Sequence, residues 1–107
     1  MTPAADNRRV LCKVGDVGPG TVKRVDLDGL PPLAVYNLAG RYYVTDDTCT
    51  HGKASLSEGY VEETEIECPW HGGRFDIPSG RPACLPAAEP LATYAVTVVG
   101  DDVCIGG

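Results

Sequence analysis

No stretch of the chain stays apolar long enough to span a membrane, and none keeps a long 3.6-residue apolar period. The first absence excludes a membrane-spanning helix. The second excludes a domain built on long helices. The segment from Met1 to Arg9 lacks the apolar core of a secretory signal, and the Arg8-Arg9 pair precedes a strand-like run, so the expected location is cytoplasmic. Cations are scarce: 9 Lys and Arg face 15 Asp and Glu, for a formal net charge of −6. Such a surface repels nucleic acid and suits docking on positive patches of protein partners. Internal repeats and low-complexity tracts are missing too. Histidine is nearly absent, with two in 107 residues, and that scarcity makes their placement informative.

What is present is turn chemistry. The 13 Gly and 9 Pro favour short strands in a single domain spanning residues 1–107. Val10–Val14 reads as a first strand, and Thr21–Leu27 as a second whose imperfect alternation predicts a bulge. Leu33–Asn37 and Arg41–Thr45 flank Leu38-Ala39-Gly40, a hairpin signal. Ala54–Glu58 is expected to form a single helical turn. Gly59–Glu62 and Thr64–Glu67 form a second hairpin, and Arg74–Ile77 follows as a strand. Arg81–Pro90 reads as a proline-punctuated loop. Thr93–Val99 is the clearest strand, and Val103–Ile105 the last. The fold class is all-β, with many short antiparallel strands in a sandwich or barrel.

Both histidines sit just downstream of a cysteine, in Cys49-Thr50-His51-Gly52 and Cys68-Pro69-Trp70-His71-Gly72-Gly73. The pattern is C-x-H-x16-C-x2-H. Chance would place both histidines so in roughly a few sequences per thousand. Two thiols and two imidazoles in two short loops make a metal site. A tetrahedral zinc would accept this ligand set. The one-residue C-x-H gap is tighter than zinc loops usually show, and suits a wider object in which neighbouring ligands reach different metal atoms. Gly52, Gly72 and Gly73 follow the histidines directly, where a sharp turn must aim backbone N–H groups inward.

Around these residues the chain resembles the Rieske proteins, most closely the small Rieske ferredoxins of bacterial aromatic-ring dioxygenase systems. Cys49-Thr50-His51-Gly52-Lys53-Ala54 and Glu67 to Asp76 carry the likeness. Pro78-Ser79-Gly80-Arg81 and the Leu85-Pro86…Tyr94-Ala95-Val96 tail extend it. The resemblance implies a Rieske fold: an antiparallel β-sandwich base with a small inserted cluster-binding subdomain at about residues 46–87. It implies one [2Fe-2S] cluster, with Cys49 and Cys68 on a buried iron and His51 and His71 on an outer iron near the surface. It also implies a one-electron carrier and not an enzyme; the expected state is a monomer. Its partners would be an NAD(P)H-dependent flavoprotein reductase and a terminal oxygenase, with no role for nucleic acid or membrane.

Departures from the respiratory Rieske pattern bear on potential. Ala54 and Trp70 stand where respiratory proteins place an extra disulfide. Gly73 and Phe75 stand where those proteins place hydroxyls that donate to sulfur. Fewer donors make reduction harder, so the expected potential lies near the low end of the Rieske range, about −150 mV. Pro86 is expected to cover the cluster, and Trp70 to lie exposed beside His71 as an apolar contact for a redox partner. Of the remaining cysteines, Cys12 and Cys104 fall in apolar strands as small core residues, and Cys84 falls in the loop near the cover.

Overall fold

The computed structural model describes residues 8–50, 54–70, 72–84 and 89–106, with the backbone alone for Cys84. Its strands are β1 (Arg9–Lys13), β2 (Thr21–Val25), β3 (Leu33–Leu38), β4 (Arg41–Asp46), β5 (Tyr60–Glu62), β6 (Glu65–Glu67), β7 (Arg74–Asp76), β8 (Pro82–Cys84), β9 (Thr93–Tyr94), β10 (Val96–Val99) and β11 (Asp102–Ile105). Single 3-10 turns occupy Val14–Asp16 and Leu56–Glu58. All strand pairings are antiparallel and form three sheets, ordered β1-β11-β10, β2-β3-β4-β9 and β5-β6-β7-β8.

The second sheet lies between two apolar cores, and β3 shows why. Its residues point alternately to opposite faces. Leu33 and Val35 join Leu11, Val17, Val103 and Ile105 on one side. Ala34 and Tyr36 join Leu56, Ile66, Phe75 and Ile77 on the other. A strand buried on both faces needs a continuous apolar run, which Leu33-Ala34-Val35-Tyr36 supplies. Each large side chain buried there contributes about 1.5–3 kcal/mol. The Tyr36 hydroxyl is satisfied at 2.9 Å from Thr45 Oγ1, and burial raises its pKa well above the ordinary tyrosine value.

The β3–β4 hairpin turns through Ala39 (φ +55°) and Gly40 (φ +92°). Two positive φ values match the right-handed twist of the flanking strands. Buried Asn37 holds the turn: its Oδ1 accepts from the Gly40 N–H at 2.8 Å, and its Nδ2 donates to the Val17 carbonyl at 2.8 Å.

Three expectations are corrected. β2 pairs with β3 in unbroken register from Thr21↔Asn37 to Val25↔Leu33 and carries no bulge. Val22 and Val25 are three residues apart and serve opposite cores, which made the alternation look imperfect. The register shift lies in β1, between Val10 and Cys12. The Arg81–Pro90 loop contains a strand, β8, paired with β7 at the edge of its sheet, where Pro82 needs no ladder donor. The single strand at Thr93–Val99 is two: β9 pairs with β4 and β10 with β11, so the chain changes sheets at Ala95.

Candidate metal centre

The first loop leaves β4 after Asp46 and is closed by its own backbone. The Cys49 N–H donates to the Ala54 carbonyl at 2.8 Å, and Thr48 bridges Ser55. The Leu56 N–H donates to the Asp47 carbonyl at 2.7 Å. Asp47 Oδ1 accepts from the Ser57 N–H at 2.8 Å, and Oδ2 accepts from Ser55 Oγ. The second loop joins β6 to β7, and the Cys68 N–H donates to the Gly73 carbonyl at 2.7 Å. Gly72 sits at φ +73°, a conformation glycine adopts without strain. Arg74, at the exit of this loop, pairs with Glu62 at 2.7 Å and Glu67 at 2.9 Å, strapping β5, β6 and β7 together.

The loops bring Cys49 and Cys68 together. Each is 1% exposed, and both belong to the apolar cluster that includes Ala34, Leu56, Ile66 and Phe75. Their side chains interact directly, with no disulfide between them. Burial pushes the Cys68 thiol up to about 11; the Trp70 backbone N–H aimed at its sulfur opposes this, and Cys49 adds to the rise. The buried Cys68 thiol therefore holds its proton until a cation enters. A metal core brings the positive charge that makes thiolates stable there. This donor pair fits the cysteine side of a [2Fe-2S] cluster.

His51 and His71 lie outside the described residues, as do Gly52, Lys53 and Pro86. No group of three or more His, Cys, Asp or Glu suited to a metal occurs among the described residues. Trp70 is 54% exposed, so its indole stands largely in solvent beside the second loop. Phe75 and Gly73 are buried, and Ala54 is buried under the first loop. Cys12 and Cys104 are buried core residues, and burial, with Asp16 adding to it, raises the Cys12 pKa.

Sequence reading missed three features of the site. Asp47 is buried, although an Asp-Asp pair gives no sign of it. Gly59 leaves no room for a side chain against the Glu67 carbonyl and Pro69, a constraint visible only in three dimensions. Thr50 Oγ1 donates to the Glu89 carbonyl at 2.8 Å, tying the first loop to the chain beyond residue 88.

Residues 7–95 match the family of the Rieske [2Fe-2S] domain. Ferredoxin CarAc of Metapseudomonas resinovorans is 46% identical over 97 residues, covering 91% of each chain. The Sphingomonas yanoikuyae B1 ferredoxin superposes with a TM-score of 0.91 at 46% identity, covering 94% of this chain and 99% of that one. A chain from the complex of reduced oxygenase and oxidized ferredoxin in carbazole 1,9a-dioxygenase gives a TM-score of 0.88 at 45% identity, covering 94% and 93%. With its two buried thiols meeting from facing loops and these likenesses running over nearly its whole length, the chain belongs to the Rieske [2Fe-2S] domain family.

Proposed function

We propose that the protein is a one-electron carrier of an aromatic-ring-hydroxylating dioxygenase system. It would accept electrons from an NAD(P)H-dependent flavoprotein reductase and pass them to the terminal oxygenase. The convergence of Cys49 and Cys68, each 1% exposed, is the observation that carries this reading. Cys49 and His51 from one loop, with Cys68 and His71 from the other, would hold a single Rieske-type [2Fe-2S] cluster. Bound there, the cluster supplies a site that gains and loses one electron. Residues of about 46–87 serve as the cluster-holding unit on a β-sandwich base.

The chain's own residues shape that task. Backbone hydrogen bonds at Cys49–Ala54 and Cys68–Gly73 close the bases of the two loops and fix the positions of the two thiols. Phe75, with no exposed surface, and Gly73 present no hydroxyl to the sulfurs, which favours the oxidised state. Exposed Trp70 offers a redox partner an apolar contact next to His71. A net charge of −6 suits partners with positive docking faces. No helix among the described residues is long and apolar enough to cross a membrane. The carrier is assigned to the cytoplasm as a monomer that binds no nucleic acid.

Reconstitution tests the proposal. Purified protein should be reduced by NADH through the cognate reductase and reoxidised by the oxygenase. Cys49→Ser and Cys68→Ser should lose the cluster and support neither step. A colourless protein that binds one zinc per chain and accepts no electron from any reductase contradicts it.

A further inference from the structure

Asp46 and Asp47 are adjacent but have opposite surroundings. Asp46 is half-buried and receives the Tyr94 hydroxyl at 2.6 Å. Asp47 is 1% exposed, two residues before Cys49. A carboxylate enters a protein interior only with donors arranged for it. Those donors are the Ser57 N–H and Ser55 Oγ, with Arg24 Nη1 at 3.6 Å as the counter-charge. Arg24 reaches over from β2 with a half-exposed side chain and also hydrogen-bonds Asp26. The backbone of Asp47 is committed as well. Its N–H donates to the Pro32 carbonyl at 2.9 Å and its carbonyl accepts from Leu56. One residue thus fastens both ends of the first loop to the base.

We infer that Asp47, balanced by Arg24, is a positioning residue that pins the first ligand loop and lowers the midpoint potential of the cluster. The assignment rests on the carrier reading. A cluster held in part by Cys49 would gain one negative charge on reduction, and the negative charge of Asp47 two residues away would disfavour that state. Arg24 offsets part of that charge from the solvent side. Removing either partner should therefore move the potential, in opposite directions. A purely structural role for Asp47 gives no such sign reversal.

The test is an EPR-monitored redox titration at pH 7, on protein whose iron and sulfide content is measured first. In Asp47→Asn, the reduced-to-oxidised ratio at a fixed ambient potential should rise by roughly several-fold, as expected when a buried unit charge two residues from a cluster ligand is removed. Arg24→Gln should lower that ratio by less, because its side chain is half in solvent, and the effect should shrink as salt rises. If Asp47→Asn does not load, Arg24→Gln decides: a lower ratio supports the assignment, and an unchanged or higher one overturns it. A loaded Asp47→Asn with the wild-type midpoint overturns this assignment alone. Wild-type protein without iron and sulfide overturns the carrier reading and this assignment with it.

Discussion

Gly59→Ala should damage the centre from outside its ligand loops. A methyl group built on Gly59 would lie 2.0 Å from the Glu67 carbonyl oxygen and 3.1 Å from Pro69 Cδ. Such contacts essentially never fall below 3.0 Å, so the two segments must part by about 1 Å. The obstructing atom is backbone, so no side-chain rotation relieves it. Tyr60 pairs with Glu67 in the β5–β6 ladder, and Cys68 is the next residue. The ladder must therefore open at the end that delivers Cys68. Overpacking of this kind costs about 1–3 kcal/mol or more, and the upper figure applies against a rigid backbone. For a domain of this size that lowers Tm by roughly 12–24 °C. Gly15→Ala is the control, because nothing lies within 4 Å of the added methyl and the φ is ordinary; its effect should stay within about 0.5 kcal/mol. Thermal melts followed by far-UV circular dichroism, with cluster absorbance recorded in parallel, make the comparison. Gly59→Ala melting alongside Gly15→Ala with full cluster content would refute the steric argument.

Three further outcomes are expected. Gly73→Ser combined with Phe75→Tyr should raise the midpoint potential, by about 40 mV for each kcal/mol gained by the reduced state; a redox titration with no upward shift contradicts the donor argument. Trp70→Ala should slow electron transfer with the oxygenase or the reductase and leave the EPR spectrum unchanged, as stopped-flow assays can show; unaltered rates in both directions would make Trp70 irrelevant to docking. The Tyr94 phenol is pushed up to about 12 by burial, with the Asp46 hydrogen bond adding to it. Its stabilising contribution is therefore full below about pH 10 and lost as pH rises towards 12, so urea midpoints should fall more steeply over that window in the wild type than in Tyr94→Phe.

Local chemistry made much of this protein legible. Leu38-Ala39-Gly40 announced a hairpin because a turn of that length needs positive φ, and the sparse Cys and His residues between Cys49 and His71 pointed to a metal site. The misreadings share a cause. Thr93 to Val99 has no glycine or proline to mark the change of sheet at Ala95, so the alternation reads straight through it. Pro82 signals a loop, and only its edge position makes it acceptable in a strand. Asp47 and Gly59 owe their roles to residues distant in the chain, Arg24 for one and Glu67 with Pro69 for the other. No local pattern encodes those pairings. The Cys49–Cys68 encounter is likewise a property of the fold, which no spacing within either loop encodes.

The ligand assignment of Cys49, His51, Cys68 and His71 is the central claim, and the scarcity of histidine makes it directly measurable. The chain has two histidines. Protein grown with 15N-histidine and reduced with dithionite should therefore show two distinct nitrogen couplings to the cluster spin in pulsed EPR, which assigns both His51 and His71 as ligands. A reduced cluster without any coupling to labelled nitrogen, or protein carrying zinc and no labile sulfide, contradicts the account.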